Sequence, residues 1–125
     1  MDQLERAQRD QLERIKRINH QRVSKILANE RAVEEMEHKL RDAEMNYSFG
    51  IDIELTGGQT RRLSWGSTKS SDNIYCFHTY RHKDNIFSDP IKLLDCYPEV
   101  IEQMIPHFPR FLDELEAKLK QEVTP

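Results

Sequence analysis

From Leu4 to Ala43 the chain runs forty residues without a glycine or a proline, and more than half of them are Glu, Arg, Lys, Gln or Leu. Glycine and proline are the residues that break a helix, and these five are among its best formers. The segment therefore predicts one uninterrupted helix, about 60 Å long at 1.5 Å per residue. A helix of that length is not held by propensity alone; its apolar stripe must be buried against something.

The apolar residues of the segment fit a heptad. Leu12, Asn19, Ile26, Val33 and Leu40 take the a positions, and Gln8, Ile15, Arg22, Asn29, Met36 and Ala43 take d. Mostly β-branched or leucine a positions interrupted by one polar Asn19 favour a two-stranded, in-register pair, at some cost in stability. The expected dimer seam is Leu12, Ile15, Asn19, Ile26, Val33, Met36 and Leu40. In a parallel pair the flanking charges match, Lys25 against Glu30 and Lys39 against Glu44 of the second copy. Such exposed pairs contribute only about 0.3–0.5 kcal/mol each, so they select direction while the apolar seam supplies stability. The alternative is a lone helix folded back on the rest of the chain.

Charge along this helix is uneven. Residues 1–29 hold seven Lys and Arg against four Asp and Glu, a net +3, whereas 30–46 hold three against six, a net −3. The basic residues Arg14, Lys16, Arg17, Arg22 and Lys25 are candidates for docking an acidic or phosphorylated partner, because guanidinium binds phosphate bidentately. No apolar run reaches the 18 residues of a membrane span. The N-terminus begins directly in helical periodicity with no apolar leader core, which argues against a signal peptide and predicts that the coil extends upstream.

At residue 47 the pattern changes period. FGIDIEL (49–55) and QTRRLSW (59–65) alternate apolar and polar residues around Gly57-Gly58, a β-hairpin signature. Phe49, Ile51, Ile53 and Leu55 share one face; Leu63 and Trp65 point opposite to Arg62 and Ser64. NIYCFHTY (73–80) predicts a third strand and IKLLD (91–95) a short fourth. Tyr97-Pro98 opens a helix with Val100, Ile101, Met104 and Ile105 as its stripe, ended near Pro106 and Pro109. A last helix, about Arg110 to Gln121, buries Phe111, Leu112, Leu115 and Leu119. The expected organisation is a coiled-coil helix over 1–46 and a small head over 47–125, with an antiparallel sheet backed by C-terminal helices: an α+β class.

Cys76 and Cys96 show no repeated spacing, which fits free thiols in a reducing compartment. Cys76-x-His78-x-x-x-His82 matches no zinc module, so a buried thiol beside exposed histidines is the expectation, with no metal and no cofactor. No nucleophile elbow, phosphate-binding loop or dinucleotide fingerprint is present, so the chain reads as a binding module, not an enzyme. On the head, Arg61, Arg62, Arg81 and Lys83 remain. Arg61 and Arg62 are candidate partner contacts, or a strip for single-stranded nucleic acid. A net charge of −3 and a pI near 6.0 make nucleic acid the weaker reading.

The succession Leu40-Arg41-Asp42-Ala43, FGIDIEL, QTRRLS, DNIYCF, IKLLD and FPRFLDEL, over roughly Lys39 to Leu119, resembles the C-terminal domain of the mitotic arrest deficient (Mad-type) coiled-coil spindle checkpoint proteins. The family's Arg-Leu-Lys tripeptide on the coil is represented only by Asn29-Glu30-Arg31-Ala32-Val33, which keeps the Arg. The resemblance implies an RWD-like head on a parallel homodimer and a scaffold of the spindle assembly checkpoint. It also implies docking of kinetochore partners such as a phosphorylated Bub-family kinase segment, in the nucleus at kinetochores and at the nuclear envelope in interphase. Asp95-Cys96-Tyr97-Pro98 is similar instead to Spc-type kinetochore subunits, which also carry an RWD head after a coil.

Overall fold

The computed structural model describes residues 2–83 and 86–123. Its first element is a single helix, α1 (Gln3–Asp42), opened by Asp2, whose carboxylate accepts the Glu5 amide at 2.7 Å. An N-terminal cap of this kind satisfies one of the four amide donors that every helix start leaves unpaired. Three long antiparallel strands follow, β1 (Phe49–Glu54), β2 (Thr60–Gly66) and β3 (Cys76–Lys83). Two short strands, β4 (Ile86–Phe87) and β5 (Ile91–Lys92), line the outer edge of β3, opposite its end and its middle respectively. Helices α2 (Pro98–Met104) and α3 (Phe108–Val123) complete the chain. The class is α+β, as the period change at residue 47 predicts.

Strand register sorts the residues into two faces. Phe49, Trp65 and Phe77 lie side by side, as do Ile51, Leu63 and Thr79 in the next row. Phe77 is the hub of an aromatic cluster, with Trp65 at 5.2 Å, Phe108 stacked at 5.0 Å and Phe111 edge-on at 5.4 Å. Helix α3 delivers Phe108, Phe111 and Leu115, and α2 delivers Ile101 and Met104. Gly57 and Gly58 both take positive φ, +82° and +73°, in the β1–β2 turn, a conformation that glycine adopts at the least steric cost. Pro98 sits in the first turn of α2 and Pro109 in the first turn of α3, where no amide donor is needed. Between them, Pro106 lies in a single 3-10 turn, Ile105–His107, that joins α2 to α3.

The end of α1 belongs to the head. Val33 and Leu40 are buried among the sheet and helix side chains, Met36 packs against them, and Glu37 is only 4% exposed. The Glu37 carboxylate accepts the Phe77 amide at 2.7 Å, and Arg41 Nη1 donates to the Tyr75 carbonyl at 3.0 Å. Trp65 Nε1 donates to the Met45 carbonyl at 2.7 Å, pinning the chain just after the helix. The boundary expected at residue 46 thus does not separate two packing units. Val33 and Leu40 are not free for a dimer seam, because their own head covers them.

Two of the residues expected to pair between copies have other surroundings within the chain. Lys25 Nζ lies 2.6 Å from Glu102 of α2 in the same chain, and Glu44 falls beyond the helix with φ of 55°.

Candidate functional site

Above the head, α1 projects with its apolar residues uncovered. Leu4, Leu12, Ile15, Ile18, Val23 and Leu27 are each between 40% and 67% exposed. Eighteen residues, five turns at 3.6 residues per turn, separate Ile15 from Val33, so the two share a face. One stripe, Leu12, Ile15, Ile26, Val33 and Leu40, therefore runs the length of the helix with its lower third covered by the head; Leu4, Ile18 and Val23 flank it, and Leu27, nine residues from Ile18, lies off it. Of the expected seam, Leu12, Ile15 and Asn19 are exposed and Ile26 is half-buried at the edge of the head. No helix is long and apolar enough to cross a membrane among the described residues.

The basic residues of α1 do not form one patch. Nine residues, two and a half turns, separate Lys16 from Lys25, placing them on opposite sides of the helix. Lys16 pairs with Glu13 at 3.7 Å. Arg22 and Lys25 line a cleft against Glu99 and Glu102 of α2, whereas Arg14 and Arg17 face solvent.

Arg61 and Arg62, expected to act together, point to opposite faces of β2. Arg62 is on the outer face, paired with Asp52 at 3.0 Å and donating to the Gly50 carbonyl at 3.1 Å. Its guanidinium fills the space above Gly50, where a Cβ would meet Nε at 2.8 Å. Arg61 is on the core face, in the row of Ile53 and Arg81. A common nucleic-acid strip from this pair is therefore excluded by strand alternation. Burial pushes the Arg61 pKa down from its usual range, partly opposed by Cys96 and reinforced to a smaller extent by the Arg81 charge.

On the outer face, Cys76 and His78 are buried beneath the Thr68–Ser71 loop. His78 Nε2 lies 3.7 Å from Cys76 Sγ and 3.3 Å from Thr68 Oγ1. Burial pushes the Cys76 thiol up and holds His78 below its usual value. Both groups are therefore kept neutral, the opposite of an activated thiolate–imidazolium pair. The expected exposure of His78 is corrected: its ring is covered. The His82 side chain lies outside the described residues, and among those described no group of three or more His, Cys, Asp or Glu could hold a metal ion.

No family model, curated protein or solved structure matches the chain. The geometry alone therefore ranks the surfaces. The apolar residues of α1 above the head are uncovered, and the Arg61–Arg81 row is the main polar anomaly on the core face. Glu37 and the Arg61–Arg81 row escaped the sequence reading, though both left a signal. Glu37 follows Val33 by four residues and so falls on the buried side of α1, and Arg61 has the same strand parity as Leu63 and Trp65.

Proposed function

We propose that this chain is a homodimeric docking scaffold, not an enzyme, in which a parallel helix pair carries two RWD-like heads. The single observation behind this reading is the uncovered seam of Leu12 and Ile15, flanked by the equally exposed Leu4, Ile18 and Val23, on a helix that projects from its own head. Burying such a side chain contributes about 1.5–3 kcal/mol, so several from each chain outweigh the association cost. A second copy is the occupant because the stripe carries its own heptad complement, with Asn19 at an a position to meet its equivalent and hold the register. The pair runs from Leu4 to about Leu27. Below Ile26 the helices splay, since each head occupies the seam face.

The biological setting that the motif order supports is the spindle assembly checkpoint. There the dimer presents its heads and the solvent-facing Arg14 and Arg17 to kinetochore partners, such as a phosphorylated Bub-family kinase segment. Light scattering tests the core of the proposal: a species of twice the 14.9 kDa chain mass is expected. L12E together with I15E should return it to a folded monomer. An I15C variant should cross-link between copies on oxidation, as only a parallel, in-register pair allows. A monomeric wild-type chain at high concentration would refute the homodimer, and absence of the I15C cross-link in a dimer would refute its direction.

A further inference from the structure

On the core face of the sheet, apolar rows end in an arginine pair. Phe49, Trp65 and Phe77 form one row and Ile51, Leu63 and Thr79 the next, whereas the third is Ile53, Arg61 and Arg81. Like charges directly opposite on neighbouring strands repel, and a core-facing row is where a strand pattern calls for apolar residues. Neither guanidinium has an ion-pair partner among the described residues. Arg61 Nη1 donates to Thr79 Oγ1 at 3.3 Å, a long contact, and its Nε is buried without any acceptor. A buried donor left unpaired costs free energy that a bound acceptor would return.

The two arginines line a cavity of about 530 Å³ between the sheet, β5 and the start of α2. Ser88 supplies a hydroxyl there, its oxygen already accepting the Arg81 amide at 2.9 Å, which leaves its proton free to donate. Among the described residues the one carboxylate on the wall is Asp95, exposed to solvent, so these side chains give the cavity a net positive charge. Ile91 and Val100 give the rest of the wall an apolar character.

We propose that this cavity binds a dianionic phosphate monoester borne on a protein segment. Two guanidinium forks and the Ser88 hydroxyl offer more donors than the two oxygens of a carboxylate can take, and a phosphate monoester supplies three terminal oxygens to meet them. Rotation of Arg61 toward the cavity exchanges its long bond to Thr79 for a two-point contact through Nε and Nη2. The apolar wall suits the residue next to a phosphorylated side chain. A polynucleotide is disfavoured by the acidic net charge of the whole chain. This site deepens the docking reading, and rests on the chain being a binding module, but it does not require the dimer.

The test is calorimetric titration of the full chain with three probes: a capped Ala-Ala-phosphoserine-Ile-Ala peptide, its unphosphorylated form, and inorganic phosphate. The phosphorylated peptide should bind at least about tenfold more tightly than either of the others. Arg81 is exposed, so R81Q should keep its circular dichroism spectrum while losing about tenfold in affinity. R14Q, on the far part of α1, should bind as the wild type does. Equal affinity for the two peptides, or an unaffected R81Q, would overturn the site. Phosphate binding as tightly as the phosphopeptide would overturn the protein-borne ligand. Loss of the dimer with phosphopeptide binding intact would strike the dimer alone.

Discussion

Removing the Glu37 carboxylate tests whether the long helix is structurally part of the head. The side chain is 4% exposed and accepts the Phe77 amide at 2.7 Å, tying α1 to the first residues of β3. Glu37→Ala leaves that amide buried without an acceptor, at a cost of about 1–3 kcal/mol. Glu37→Gln keeps an oxygen in place; it loses the charge assistance of the bond but also the penalty of burying a charge, so its net effect should stay within about 1 kcal/mol. Trp65 is the only tryptophan and is fully buried, so its fluorescence reports urea unfolding directly. At a urea slope of about 2 kcal/mol per M, Glu37→Ala should lower the midpoint by roughly 1 M, measured at one fixed protein concentration. The pH dependence has a definite sign. Burial is the largest influence on Glu37 and holds its pKa above the usual 4.5, against the lowering effects of the Phe77 amide and Arg41. The folded state therefore binds this proton more tightly than the unfolded chain. Its contribution to stability falls as pH rises from 4.5 through the folded pKa, and this slope should vanish in Glu37→Gln. An Ala variant as stable as wild type, or a Gln variant as damaged as the Ala one, would refute the argument.

A fragment of 47–125 should lack cooperative unfolding, because it discards Val33, Glu37 and Leu40; a fragment of 28–125 should fold as a monomer, having lost the uncovered residues and, of the contacts with the head, only half-buried Ile26 and the Arg22 and Lys25 contacts with α2. Near-ultraviolet circular dichroism of Trp65 distinguishes the two, and a well-folded 47–125 would show that the helix end is dispensable. His78 is held below its usual 6.5 by burial, so its contribution to stability is complete above pH 6.5 and lost as pH falls toward the folded pKa. A His78→Gln variant should lose that acid-side decline in melting temperature, and an unchanged pH profile would contradict the assignment.

Much of the architecture was legible in the order of residues. Absence of Gly and Pro together with the 3.6-residue period over Leu4 to Ala43 predicts a helix, and alternation in 49–55 and in 62–65 assigns which side chains share a face. Gly57-Gly58 marks the turn because glycine takes left-handed backbone at the least steric cost. These are local properties, decided by backbone sterics and period. Tertiary structure decided what the stripe of α1 touches. A heptad reads the same whether its cover is a second helix or a sheet, so Val33 and Leu40 looked equivalent to Leu12 and Ile15. Only the folded chain, bringing Phe77 forty residues away against Glu37, shows that the lower turns are core and the upper turns are bare. The arginine pair follows the same logic. Strand parity puts Arg61 on the inner face, but its position opposite Arg81 depends on register between β2 and β3, which hydrogen bonding and packing across the whole sheet select.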